Sequence, residues 1–347
     1  MPLVSVIILN WNGAHLLRRY LPTVLECTAA EEADILVADN GSTDDSLPLL
    51  AAEFPTVRVL PLGSNHGFAE GYNRAIAEVA TPYAVLLNDD VRVTPGWLAP
   101  LVEHMERRPD VAACQPKLLS DREPGRFEYA GAAGGYLDRY GYPYCRGRIF
   151  ATVEQDRGQY DAPRHVQWAT GACLMVRTEL YRRAGGLDAR FFAHMEEIDL
   201  CWRLRRMGYT LACVPASAVH HLGGASLAMG HPRKMLLNFR NLLLMLWKNT
   251  PDARRRAALL RRRKWLDALA ALNFLLHGQW RHVAALRQAH REAAQMIRDV
   301  YAPEAEHYHA NPLFAASPAP DGPEAELSIL WQYYVRRRRT FSELPIG

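Results

Sequence analysis

The stretch AVLLNDDV, residues 84–91, sets a chemical problem. Its apolar run from Ala84 to Leu87 has Pro82 before it and Pro95-Gly96 after it, and reads as a buried strand. The run ends on Asn88, Asp89 and Asp90. An unpaired carboxylate is costly to bury, and two adjacent ones repel each other. A hard divalent cation, Mg²⁺ or Mn²⁺, relieves that repulsion, and paired acids beside a cleft suit such an ion. The same ion can hold a diphosphate and neutralise its charge as it departs from a reacting carbon. Two further clusters could take part. Glu196, Glu197 and Asp199 open one predicted helix, and His220-His221 stands just before Gly223-Gly224. A positioned carboxylate can accept a proton from a hydroxyl, and a histidine can ligate a metal.

Whether these groups meet depends on the elements that carry them. LVSVIIL (3–9), ADILVAD (33–39), VRVLPL (57–62) and YAVLLN (83–88) read as strands, and 14–27, 44–54 and 67–80 between them read as helices. Strand–helix alternation with near-continuous apolar strands predicts an α/β fold with a mostly parallel, two-faced sheet. Ligands of such sheets bind at the carboxyl ends of the strands. The four tips are polar: Asn10 and Asn12 with Gly13; Asp39, Asn40, Gly41 and Ser42; Asn65 and Gly67; and Asn88-Asp89-Asp90. Turn preference explains Asn, Asp, Gly and Ser at any one tip. It does not explain four polar tips together with an acid pair directly after a buried strand. A helix is expected over 97–108, and 120–165 reads as irregular loop or short antiparallel strands. ATGACLMV (169–176) is a strand in which Gly171-Ala172 leaves room near the backbone. After 232 the chain becomes helical and Arg-rich, and 302–326, with five prolines, reads as an extended linker.

Composition narrows the classes. The chain has 347 residues, 49% apolar and 22% charged, with a net charge of +4, which is ordinary for a folded protein. No G-x-G-x-x-G follows the first strand and no P-loop motif is present, so any phosphate site must be built by other means. Six cysteines without a CxxC pair point to buried thiols in a reducing compartment. The N-terminus lacks the basic leader of a signal peptide, and no apolar run reaches the ~20 residues needed to cross a bilayer. The expectation is a cytoplasmic protein.

VSVIILNWNG, VADNGSTDDS, SNHGFAEGYNRAI and LLNDDV, in this order and spacing, resemble the family 2 glycosyltransferases, and more closely their bacterial rhamnosyltransferase-like branch. The resemblance covers roughly residues 3 to 250. It implies a GT-A type nucleotide-diphospho-sugar transferase fold over 1–230, with a donor half at 1–115 and an acceptor and catalytic half at 116–230. A basic amphipathic helical region (231–301) and a Pro-rich linker with a basic aromatic tail (302–347) follow as a helical C-terminal extension. The resemblance places Asp39 on the nucleotide base, with Asn10, Asn12, Asn40, Gly41 and Ser42 beside it. It places Asn65, Gly67, Phe68 and Asn73 along the donor pocket, Asn88 and Asp89 on the donor, and Asp90 on the metal. Its H-x-G-G-x-S pattern selects His221 over His220 as a second ligand. Its acid–acid–x–Asp pattern makes Glu197 the catalytic base, where Asp is usual, so Glu196 stays open as the alternative. Trp168, Thr170, Gly171, Ala172 and Glu196 are the expected acceptor contacts.

The implied function is inverting, metal-dependent transfer from a dTDP- or UDP-sugar to a saccharide, lipid-linked, in cell-surface polysaccharide synthesis. A carboxylate base and direct attack need no covalent enzyme intermediate, in keeping with the absence of a Ser–His–Asp signature. Two alternatives are a sugar-1-phosphate nucleotidyltransferase, whose basic glycine-rich N-terminal loop is missing here, and a non-catalytic sugar-binding scaffold. RRRAALLRRRK (254–264) holds seven positive charges in eleven positions, and Arg336 to Arg339 form a second cluster. Leu259, Leu260, Trp265 and Leu266 adjoin the first; Ile329, Leu330, Trp331, Tyr333 and Tyr334 adjoin the second. Cations mixed with aromatic and apolar side chains favour an anionic membrane surface, making the protein peripheral on the inner face. No nucleic-acid module is visible, so nucleic acid is not an expected partner.

Overall fold

A computed structural model describes residues 2–223, 231–316 and 323–346. The strands are β1 (Val4–Asn10), β2 (Ala33–Asp39), β3 (Arg58–Pro61), β4 (Tyr83–Asn88), β5 (Val91–Val93), β6 (Val111–Ser120), β7 (Gly135–Leu137), β8 (Pro143–Cys145), β9 (Arg148–Ile149), β10 (Thr152–Val153), β11 (Arg164–His165), β12 (Cys173–Arg177) and β13 (Thr210–His221). The main helices are α1 (Ala14–Glu26), α2 (Ser46–Glu53), α3 (Gly67–Ala77), α4 (Ala99–Arg107), α5 (Thr178–Arg183), α6 (Glu196–Arg206), α7 (Pro232–Asn249), α8 (Ala253–Leu276) and α9 (Trp280–Met296).

The large sheet runs β11-β13-β6-β12-β4-β1-β2-β3, with β5 also pairing β13. β3, β2, β1 and β4 are parallel. β12 lies antiparallel between β4 and β6. Alternation along the strands explains why both faces are covered. Val4, Val6, Ile8, Val85 and Leu87 cluster with Leu17 and Leu21 of α1, Leu49 and Leu50 of α2, and Leu101 of α4. Ile7, Ala84 and Leu86 point the other way and cluster with Ala69, Tyr72 and Ile76 of α3. The segment expected as irregular or short antiparallel strands is a four-stranded antiparallel sheet, β10-β9-β8-β7.

The register sets the rim. Asn10 is paired with Asp39 and Leu9 with Asn88. β12 runs the other way, so its beginning, Cys173, lies opposite Leu87. β13 ends beside β5, with His221 opposite Val91. The ends of β1, β2, β4 and β13 and the start of β12 thus share one edge of the sheet.

The C-terminal third packs into the same core. Leu242 to Trp247 of α7 are buried and join the α3-side cluster. Residues 302–316, read as an extended linker, instead form short helical turns closed onto α6: the Arg206 guanidinium donates to the carbonyls of Tyr308 and Phe314. Proline there starts turns (Pro312 opens one of them), because it fits the first helical position as well as an extended chain. Among the described residues, no helix is long and apolar enough to cross a membrane.

Candidate functional site

At the first two tips the polar residues hold each other. Asn10 Nδ2 donates to Asp39 Oδ1 at 3.0 Å and to Ser42 Oγ at 3.1 Å. Asp39 Oδ2 accepts from the Ser42 backbone at 3.0 Å, and Asn12 Oδ1 accepts from Thr43 at 2.7 Å. Asn40 Nδ2 reaches the Gly67 carbonyl and Asn65 Oδ1, and Asn40 Oδ1 accepts from His66. Gly41 has φ +74° and lies so close to the Ser64 backbone that a Cβ would sit 2.4 Å from it, so only glycine fits. Asn73 is turned elsewhere: its amide bonds both backbone groups of Leu187 and the Tyr181 hydroxyl, tying α3 to the loop before α6.

The acid tip shows the repulsion its sequence announces. Burial, and then the charge of Asp90, push the Asp89 carboxyl up to about 8. A Cβ on Gly13 would fall 2.5 Å from Asn10 Oδ1 and 2.6 Å from Asp89 Oδ2. That Asn10 oxygen is buried without a hydrogen-bond partner. The glycine keeps open a polar cradle between the first and fourth strand ends.

Asp90 and His221 are both buried, and Asp90 Oδ1 lies 3.0 Å from His221 Nε2. As it stands this is a hydrogen-bonded ion pair; the same separation, about 3.0 Å, suits adjacent donors on an octahedral ion with bonds of 2.0–2.1 Å, and a small divalent cation between them would take the place of the Nε2 proton. On the far side of the ring, Glu128 Oε2 lies 3.4 Å from Nδ1. This is charge proximity rather than an aligned hydrogen bond, since Nδ1 has no hydrogen-bond partner. A carboxylate at the second nitrogen is the usual means of orienting a metal-bound histidine. Burial alone would lower the imidazole's pKa, but Asp90 and Glu128 outweigh it and raise His221 to about 10. Gly223, φ +66°, allows Glu128 its place: a Cβ there would come within 2.7 Å of Glu128 Oε1. Among the described residues, no group of three or more His, Cys, Asp or Glu is arranged to hold an ion by itself. Substrate phosphate oxygens would have to complete such a shell.

The second acid cluster approaches from the other half of the sheet. A Cβ on Gly171 would meet Phe68 at 3.3 Å and Glu197 Cβ at 3.5 Å, so these three residues are brought together. The next residue, Ala172, accepts from the Asn88 backbone at 3.0 Å. Glu197 and the Asn88-Asp89-Asp90 tip therefore flank a segment of only two residues, about 7 Å of chain. Glu196 and Glu197 each have one buried carboxylate oxygen without a partner. Burial pushes Glu197 up to about 7, while burial and the Glu197 charge raise Glu196 further. Asp199 behaves differently. It is paired with Arg203 and Lys248 and bonded by Asn249, which together outweigh its burial and hold it ionised. Trp168 and Thr170 have committed side chains. The Trp168 indole donates to the Tyr136 carbonyl, and Thr170 Oγ1 donates to the Ala130 carbonyl at 2.6 Å.

A strained turn presents the carboxylates. Phe192, His194 and Met195 all have φ near +70°, an unfavourable region for side-chain-bearing residues that is kept only where the surroundings enforce it. Here α7 enforces it. Asn241 Nδ2 donates to the carbonyls of Phe191, Ala193 and His194 at 2.8–3.0 Å. Lys248 Nζ bridges Asp188 and Asp199 at 2.7 and 2.8 Å. Asn241, Lys248 and Glu128 were not among the expected site residues. A basic amphipathic helix and an aperiodic loop give no local signal that they reach this far.

The mixed α/β sheet with its converging polar tips has the GT-A fold of nucleotide-sugar transferases. The sequence profile of Glycosyl transferase family 2 matches residues 5–185, and the chain belongs to that family. It is 29% identical over 239 residues to N-acetylglucosaminyl-diphospho-decaprenol L-rhamnosyltransferase of Mycobacterium tuberculosis, covering 64% of this chain and 75% of that one. It is 28% identical over 235 residues to the O-antigen biosynthesis protein RfbC of Myxococcus xanthus, covering 65% of this chain and 18% of RfbC. The similarity thus runs to the bacterial rhamnosyltransferase-like branch. Two solved structures share the fold at 16% identity. GalNAc-T7 with UDP, GalNAc and Mn²⁺ has a TM-score of 0.57, over 90% of this chain and 58% of that one. The mannosyltransferase PcManGT of Pyrobaculum calidifontis, with GDP-Man and Mn²⁺, has 0.53, over 84% and 87%. The chain is a glycosyltransferase.

Proposed function

We propose that the protein moves a sugar, with inversion, from a nucleoside diphosphate donor (a dTDP- or UDP-sugar) to a saccharide, lipid-linked acceptor in cell-surface polysaccharide synthesis. The observation that carries this is Glu197: a carboxylate with an unpartnered oxygen and a raised pKa, set against Gly171 two residues from the acid tip. It takes the proton of the acceptor hydroxyl as the new bond to the anomeric carbon forms and the bond to diphosphate breaks. Attack from the side opposite the diphosphate inverts that carbon. Asp39, Asn10 and Ser42 form a preorganised polar end for the nucleotide. Asp90 and His221 would hold Mn²⁺ or Mg²⁺, which supplies charge neutralisation at the leaving diphosphate. The lipid-linked acceptor is supported by the name of the mycobacterial relative, whose acceptor is a decaprenol-linked sugar. Such an acceptor and the basic C-terminal region support a location on the inner face of the membrane.

The test is nucleotide release. With Mn²⁺ or Mg²⁺ and a panel of nucleotide sugars, free nucleoside diphosphate should appear, and Asp90→Ala should abolish it. Pyrophosphate from a nucleoside triphosphate and a sugar phosphate would instead identify a nucleotidyltransferase.

A further inference from the structure

Among the described residues, none covers the outer face of α8. Trp265, Leu269, Leu272 and Leu276 follow one another at spacings of four, three and four, which puts them in one line along the helix. They are 76%, 62%, 52% and 77% exposed, and Trp280, just beyond the turn, is 68% exposed. The opposite face is anchored inside: Arg263 and Asp267 are buried and paired at 3.0 Å, and His290 of α9 closes on Asp267 at 2.9 Å. The apolar line therefore has no role in holding α8 onto the protein.

Charge identifies what covers it. Residues 253–291 contain ten Arg and Lys and a single acid, the buried Asp267. Arg254, Arg261 and Arg262 continue the same helix face towards its N-terminus, and Lys264 and Arg281 border the apolar line. A second copy docked through this face by two-fold symmetry would set like charges against each other. A nucleic acid would leave the leucines and tryptophans wet. An anionic bilayer satisfies both halves, with phosphates for the cations, acyl chains for the leucines, and the headgroup level for the two indoles.

We propose that the outer face of α8, continued by Trp280, is the surface by which this protein docks on an anionic lipid membrane. It rests on, and gives residues to, the membrane part of the proposed function. It also separates the two basic clusters of the sequence. Near Arg336 to Arg339, Ile329 and Tyr333 are core residues and Arg339 stacks on Tyr333 at 4.0 Å; Trp331, Tyr334 and Val335 are 52–55% exposed there, but they span little more than one helical turn, a shorter patch than the line on α8.

The test is co-sedimentation of the full chain with phosphatidylglycerol-containing and with pure phosphatidylcholine vesicles, at low and high salt. Binding should require phosphatidylglycerol and weaken with salt. Replacing Trp265, Leu269, Leu272 and Leu276 together by Ser should lower partition by about tenfold or more. Thermal unfolding and nucleotide release with a water-soluble acceptor should not change, since all four side chains are exposed. Wild-type protein that ignores anionic vesicles, or a quadruple variant that binds them equally well, overturns the proposal. So does a concentration-dependent dimer that the substitutions abolish, or protection of the line by an oligonucleotide instead of vesicles. Loss of turnover on the soluble acceptor in the wild type would count against the transferase reading alone.

Discussion

Proton transfer is most effective when the base's pKa lies near the working pH. Glu197, the proposed base, is raised to about 7 by burial and so meets that condition. Only the ionised form accepts a proton, so turnover should fall as pH drops below about 7, well above the ordinary glutamate value near 4.3. Glu197→Gln should leave donor affinity nearly intact and lower turnover by about 10²–10⁴; single-turnover rates across pH check both points, and a near-normal rate with the same pH profile would exclude this residue. Glu128 makes a separate prediction. Glu128→Gln keeps the size of the side chain but removes the charge beside His221 Nδ1, and should weaken Mn²⁺ binding in the presence of nucleoside diphosphate by about 10–100-fold. Calorimetric titration reads this directly, and unchanged affinity removes Glu128 from the site. The Asp89-Asp90 and His220-His221 pairs stand out because each ends or follows an apolar strand, and the family resemblance singles out Asp90 and His221 within them. Glu128 does not, because it sits in a segment without period and meets His221 only through the fold.

At the scale of elements, the strands were the legible part. A run such as YAVLLN buries alternate residues on two faces, and 33–39 and 83–88 are strands over the lengths their patterns suggest. The fixing of α6 was not legible. Its first turn is presented by residues in the left-handed region, and what holds them there is α7, whose sequence shows only a basic amphipathic helix. Lys248→Met would leave Asp188 and Asp199 each with fewer partners, though Arg190 and Arg203 would remain. The expected loss is roughly 2–3 kcal/mol in denaturant unfolding, less than for a buried ion left wholly alone. If stability is unchanged, α7 does not brace the turn through this lysine.

The whole molecule closes on itself in a way that proline counting misreads. The aromatic tail returns to the antiparallel sheet, where Phe341 packs against Tyr136, Tyr144 and Tyr160 with ring centroids 5.5–6.2 Å apart. The Ile329 backbone donates to Asp138, and the Phe341 backbone to Glu154. Composition alone cannot distinguish a spacer from a strap, because both avoid long helices and only contacts distant in sequence separate them. The placement of β12 has a further consequence. It is stitched to β4 on one side and β6 on the other, and β6 to β13, so the strand ends that carry the acid tip and His221 belong to one uninterrupted ladder. Prising them apart would rupture several backbone hydrogen bonds at once. A reactant would therefore have to come and go past the rim's loops, while the ladder keeps the Asp90 and His221 strand ends at a fixed separation.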